Sequence, residues 1–148
     1  MVDILHRIGT TTSSPDDVYA ALTTIEGLAS WWTEDTKGDG SVDGVLEFRF
    51  GEAGGFDMLV LETRPGQLVR WEVVDGPEEW IGTQVRFELK QEDGWTIVLF
   101  SHVGWKEPVE FMHHCSTKWA TFLMSLKKLV ETGKGEPAPH DVRISNWH

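Results

Sequence analysis

Apolar and polar positions along this chain follow two rhythms, a period of two through the middle and a period near 3.6 toward the end. The clearest alternation sets Val85, Phe87 and Leu89 against Arg86, Glu88 and Lys90. That pattern predicts a strand with one buried face and one wet face. Similar runs cover Val45 to Phe50, Phe56 to Arg64, Leu68 to Val74, Thr83 to Gln91 and Trp95 to Val103. Turn residues separate them at Gly51–Gly55, Pro65-Gly66, Asp75-Gly76-Pro77 and Asp93-Gly94. Links this short join antiparallel neighbours. Asp3 to Thr12 also alternates and is rich in β-branched residues, which predicts a first strand with Ile4, His6, Ile8 and Thr10 on one face.

Helical signals flank this meander. Ser14-Pro15-Asp16-Asp17 is a helix start: Ser14 caps, Pro15 suits the first turn, and Asp17 reaches back while favouring the positive helix end. Val18, Ala21 and Leu22 form its buried stripe. Gly27 breaks the run, and Leu28 to Trp32 predicts a second short helix or turn. Lys37 to Gly44 is rich in Gly, Asp and Ser and reads as an exposed loop. After Pro108, Phe111, Cys115, Trp119, Phe122, Leu123, Leu126, Leu129 and Val130 recur at helical spacing up to Gly133. The expected fold is therefore α+β: a curved antiparallel sheet of six strands, two short helices and a long C-terminal helix. Residues 1–148 form one domain in this reading, with 133–148 as an irregular tail whose Ile144 and Trp147 can dock on the body. A wide-faced helix set on a strongly bent sheet leaves a hollow between them.

Composition sharpens the picture. The 148 residues suffice for one core, and eight Trp and seven Phe are many for that length. The net charge of −11 disfavours phosphate backbones and anionic membranes. Cys115 is the only cysteine, so an internal disulfide is impossible, which fits a reducing compartment. No signal-peptide pattern opens the chain, and no run approaches the roughly 20 apolar residues of a membrane span. These points predict a cytoplasmic protein that neither binds nucleic acid nor inserts into a membrane.

The order of elements, with Ser14–Leu22 after the first strand, Leu28–Thr33, Ser101–Trp105 at the end of the last strand, and Trp119 and Leu126 on the final helix, resembles the START-like (SRPBCC) superfamily and its helix-grip fold. Within it the chain resembles the branch named for the C-terminal domain of the activator of the ninety-kilodalton heat-shock protein's ATPase. The resemblance implies a cavity between sheet and helix, which in various relatives takes lipids, polyketides, hormones or other apolar molecules. It does not imply one reaction. The chain lacks the separate N-terminal domain that such co-chaperones carry.

Candidate chemistry follows. The expected ligand-binding residues are Trp31, Trp32, Trp71, Val85, Phe87, Val98, Phe100, His102, Trp105, Phe111, Trp119 and Phe122. A stripe of this kind also reads as plain core packing. Of Trp31 and Trp32, one is expected buried and one at the cavity rim. His102 lies in phase with Thr96, Val98 and Phe100, so it serves either as a ligand contact or general acid–base, or as a satisfied core histidine. His6 is a weaker case. Glu62 follows Met58 and Val60 in phase, which would put a carboxylate with raised pKa in the cavity; the opposite register puts it in water. His113, His114 and Cys115 are sequential helix positions about 100° apart, which does not make a metal site. No zinc, nucleotide or serine-elbow pattern occurs, so no metal or cofactor is expected. The leading reading is a small apolar or aromatic ligand held between sheet and helix. The alternatives are a cyclase, dehydratase or hydrolase acting on an aromatic or polyketide-like substrate, and a co-chaperone-like interaction module. A homodimer is neither required nor excluded.

Overall fold

The computed structural model describes residues 1–148. Its strands are β1 (Val2–Thr10), β2 (Asp35–Gly38), β3 (Val45–Arg49), β4 (Gly55–Arg64), β5 (Leu68–Asp75), β6 (Gln84–Glu92) and β7 (Trp95–Trp105). Its helices are α1 (Pro15–Thr23), α2 (Ile25–Trp31) and α3 (Glu110–Thr132). The strands make one antiparallel sheet in the order β1-β7-β6-β5-β4-β3-β2. Consecutive strands from β2 to β7 are therefore neighbours, and β1 closes the far edge against β7.

The sheet has seven strands, not six. The added strand, β2, overlaps the stretch read as loop at Lys37 and Gly38. Its residues Asp35, Thr36, Lys37 and Gly38 carry no apolar alternation, and it exists because β3 presents an open edge, which it pairs from Asp35↔Arg49 to Gly38↔Leu46. Bulges in β4 between Asp57 and Met58 and between Val60 and Glu62 bend the sheet.

The local signals act as their chemistry dictates. The Asp17 N–H donates to Ser14 Oγ at 3.2 Å and the Ser14 N–H to the Asp17 carboxylate at 3.0 Å, a complete capping box. Thr24 caps α2 through the Gly27 N–H at 3.0 Å. Gly133 ends α3 with φ of 85°, a left-handed conformation suited to glycine. The buried stripe of α3 is Cys115, Trp119, Phe122, Leu123, Ser125 and Leu126. It packs with Val18, Leu22, Leu28 and Trp31 from the short helices and with the inward residues of β3 to β7. No helix is long and apolar enough to cross a membrane.

Candidate functional site

The middle of the concave face is solid. Phe87 meets Phe100 at 5.3 Å between ring centroids, Phe100 meets Trp119 at 4.6 Å, and Trp71 meets Phe87 at 5.3 Å. Trp31 stands edge-on to Phe87 and donates its indole N–H to Ala21 O at 2.9 Å. No hollow lies beneath the centre of α3, which corrects the expectation of one there. Rings of this size fill the bend of the sheet outright.

The hollow lies at the flank instead. A cavity of about 1060 Å³ opens between the end of α2, the β3–β4 connection, the β5–β6 loop, the first half of α3 and the terminal segment from Ala138 to His148. Its apolar wall is a chain of aromatic contacts. Trp32 reaches Phe50 at 5.7 Å, Phe56 at 5.9 Å and Trp119 at 4.9 Å. Phe56 stacks on Trp80 at 3.9 Å, and Phe50 meets Phe122 at 6.2 Å.

Of the residues expected to contact a ligand, Trp32, Phe111, Trp119 and Phe122 line this cavity. Trp31, Trp71, Val85, Phe87, Val98, Phe100, His102 and Trp105 are buried core and do not. The two adjacent tryptophans divide the work: Trp31 is sealed in the core, and Trp32, also buried, forms the back wall. The sequence reading missed Phe50, Phe56, Trp80 and Trp147. Phe50 directly follows β3 and Phe56 is near the start of β4, where alternation gives out, while Trp80 lies in the β5–β6 loop and Trp147 in the tail; an excess of aromatic residues at strand ends and turns was the available signal.

His102 is fully buried and fixed by two bonds. The Trp119 indole N–H can only donate, so its 3.1 Å contact makes His102 Nδ1 an acceptor. Nε2 then carries the proton and donates to Thr83 Oγ1 at 2.8 Å, and the Thr83 hydroxyl donates in turn to Trp80 O. Burial pushes the imidazole pKa from 6.5 down to about 3. A neutral, sealed histidine without an ionisable partner cannot shuttle protons, so of its two readings His102 is the satisfied core histidine and not a general acid–base or ligand contact. His6 is likewise spent outside the cavity, with Nε2 at 3.0 Å from Ser116 O.

Glu62 turns to the outer face, the solvated one of its two readings. The bulge after Val60 shifts the phase, so Val60 opposes buried Trp71 while Glu62 opposes Arg70 on the outer face. There it pairs with Arg64 at 2.7 Å and Arg70 at 3.4 Å. These partners, the Arg64 hydrogen bond first, hold its carboxyl below the ordinary 4.5, the opposite of a raised cavity acid. The residues named for an enzymatic role therefore do not face each other in a cavity.

The charged groups that do line the cavity are different. Arg49 is committed to Asp57 at 2.8 Å and Glu47 at 3.7 Å, and the Asp57 hydrogen bond holds its pKa above the usual value. Lys118 pairs with Asp141, both side chains being largely buried, and donates to Val142 O at 2.9 Å. His148 Nε2 lies 3.2 Å from the same Asp141 carboxylate. His114, facing the Trp147 ring at 5.6 Å, is held below 6.5 first by burial and then by Lys118 and His148. The Cys115 thiol is pushed up to about 12 by burial, so it is an inert wall atom.

No curated protein matches the chain in sequence. Among solved structures it is similar to the Aha1 dimer from Colwellia psychrerythraea, with TM-score 0.84 and 46% identity over 91% of this chain and 100% of that one. It is also similar to CalU16 from Micromonospora echinospora, with TM-score 0.78 and 20% identity over 97% of this chain and 74% of that one. DynU16, a protein in the dynemicin biosynthetic locus, gives TM-score 0.72 and 21% identity over 90% of this chain and 48% of that one. The last two likenesses are of fold alone. The family described as activator of Hsp90 ATPase homolog 1-like protein matches residues 12–131. A match over that span, together with the 46% identical structure, means that this chain belongs to the activator of Hsp90 ATPase homolog 1-like family.

Proposed function

We propose that this protein binds a small hydrophobic or aromatic molecule in the flank cavity. The observation that carries this reading is an opening of about 1060 Å³ walled by Trp32, Phe50, Phe56, Trp80, Trp119 and Phe122. Pockets of roughly 300–1,000 Å³ enclose drug-sized ligands. Affinity would come from removing ring faces from water, at about 25 cal/mol per Å². The helix-grip relatives that take apolar molecules, and the likeness to a protein of the dynemicin biosynthetic locus, support the same reading. A cytoplasmic setting accords with the lone cysteine.

The test is a thermal-shift screen against lipids and aromatic metabolites. A ligand at a hundredfold its Kd stabilises by about 2.7 kcal/mol, a rise of several degrees for a chain this size. Phe50→Ala should weaken every hit, because Phe50 lines the cavity and is only half-buried, packed against the core from outside. Trp119→Ala is unsuitable, since it also strips His102 of its donor. A screen without a single hit, and with no uptake of an apolar dye, would remove the reading.

The relative from Colwellia psychrerythraea is described as a dimer. We propose the same state here, to be read by light scattering as twice the 16.7 kDa chain mass. A monomer at all concentrations ends that part.

A further inference from the structure

Lys118 is the only lysine on the cavity wall. Its side chain is 13% exposed, and its ammonium lies 5.0 Å from the Phe122 ring centroid. A buried ammonium needs an anion, because leaving it unpaired costs several kcal/mol. The anion is the Asp141 carboxylate, on a side chain only 5% exposed.

That carboxylate comes from a weakly tethered segment. The last backbone bonds between the tail and the body are Ala138 N–H to Trp32 O at 2.8 Å and Glu34 N–H to Ala138 O at 3.0 Å. The backbone N–H bonds beyond Pro139 stay within the tail, from His140 to Pro137 O, Ile144 to His148 O and His148 to Ser145 O. Residues 139–148 thus form a strap hinged at Ala138. It is held to the body by Lys118, by the exposed His140–Glu34 pair at 3.4 Å, and by Trp147 against His114. The strap presents an acid, Asp141, and an indole, Trp147, to the same cavity.

Resting on the proposed cavity function, we propose that Lys118 is the anchor for the acidic group of an aromatic acid, and that Asp141 and Trp147 of the strap occupy its place until it arrives. Binding exchanges one carboxylate or sulfonate for another at the Lys118 ammonium, so no buried charge is left unpaired. Asp141 moves into water with its own chain. The ligand's ring lies on the aromatic wall. An aliphatic anion does not displace the strap, because Asp141 competes at the high effective concentration of a tethered group. A neutral aromatic gains nothing from Lys118.

The experiment is fluorescence titration of the full chain with anilinonaphthalene sulfonate and with uncharged N-phenylnaphthylamine. Wild type should favour the sulfonate. Asp141→Asn should raise sulfonate affinity by on the order of tenfold without changing that of the neutral dye. Lys118→Met should erase the preference. Where Lys118→Met alone unfolds the chain, the double variant with Asp141→Asn leaves no orphaned charge and carries the same test. Tryptic cleavage after Arg143, on the strap, should quicken with the sulfonate only. If both dyes bind but Lys118→Met retains the preference, or Asp141→Asn weakens the sulfonate, the Lys118 assignment is overturned while the cavity reading stands. If neither dye binds wild type, both fall together.

Discussion

His102 offers a quantitative check on how the core is packed. Its pKa falls from 6.5 to about 3 because the folded chain buries it neutral between Trp119 and Thr83. The unfolded chain protonates it near 6.5, so below that pH the unfolded state binds more protons. Its stabilising contribution is complete above pH 6.5 and is lost as the pH falls toward about 3. At about 1.4 kcal/mol per unit, the whole shift is worth roughly 5 kcal/mol. By about pH 4.5 the loss from this group alone is about 3 kcal/mol.

The perturbation is His102→Gln, whose amide can accept from Trp119 and donate to Thr83 without titrating. Urea unfolding followed by tryptophan fluorescence, from about pH 7.5 to about pH 4.5, gives stability against pH for both proteins. Glu62 and Glu131 are held below their ordinary 4.5, so their contributions fade mainly beneath this window. His114 shifts in the same direction as His102 but is present in both proteins and cancels in the difference. Wild type should lose about 3 kcal/mol more than the variant across the window. Parallel curves, agreeing within about 0.5 kcal/mol, would refute a neutral buried imidazole.

Other consequences are simpler to test. Ser14→Ala removes the cap of α1 and should cost about 1 kcal/mol in urea unfolding; an unchanged midpoint would show the capping box to be idle. Gly27→Ala drives a Cβ to 2.6 Å from Ala21 Cα and should cost about 2 kcal/mol, whereas a neutral result would mean that α1 and α2 separate easily. Cys115 should resist an aromatic disulfide reagent in the native protein and react only on unfolding; labelling of the native chain at the rate of a free thiol would contradict its burial.

The fold was largely legible because alternation and helical spacing are imposed by burial itself. Val85, Phe87 and Leu89 had one way to face the core, as did Trp119, Phe122 and Leu126. β2 was not legible, since its four residues bury little and are held by backbone pairing to β3. The facing of Glu62 was not legible for a related reason: a bulge inverts the phase of a strand, and no side chain announces it. The phase of His102 was readable, but Thr83, whose hydroxyl satisfies it, lies 19 positions away in the turn just before β6. The cavity was the least legible part. Its wall draws on turns and on the tail, and its position depends on how completely Trp31, Trp71, Phe87 and Phe100 fill the bend, a question of volume that pattern cannot answer.

That division of space decides where binding and stability can be separated. Trp32 packs against Phe48 at 4.3 Å and stacks with Trp31 at 5.9 Å on the core side, yet it is also the back wall of the cavity. Trp119 likewise serves both, through His102 on one side and Phe122's neighbourhood on the other. Substitutions at either position remove packing together with ligand contact, and large-to-small changes there cost about 3–5 kcal/mol whatever binds. Phe50 and Phe111 are only partly buried and touch the cavity without closing the core. If a ligand occupies the flank, affinity must fall at Phe50 and Phe111 with little loss of stability. Were it instead to enter the centre beneath α3, it would have to open the Phe87–Phe100–Trp119 contacts, and affinity would follow core mutations rather than flank ones.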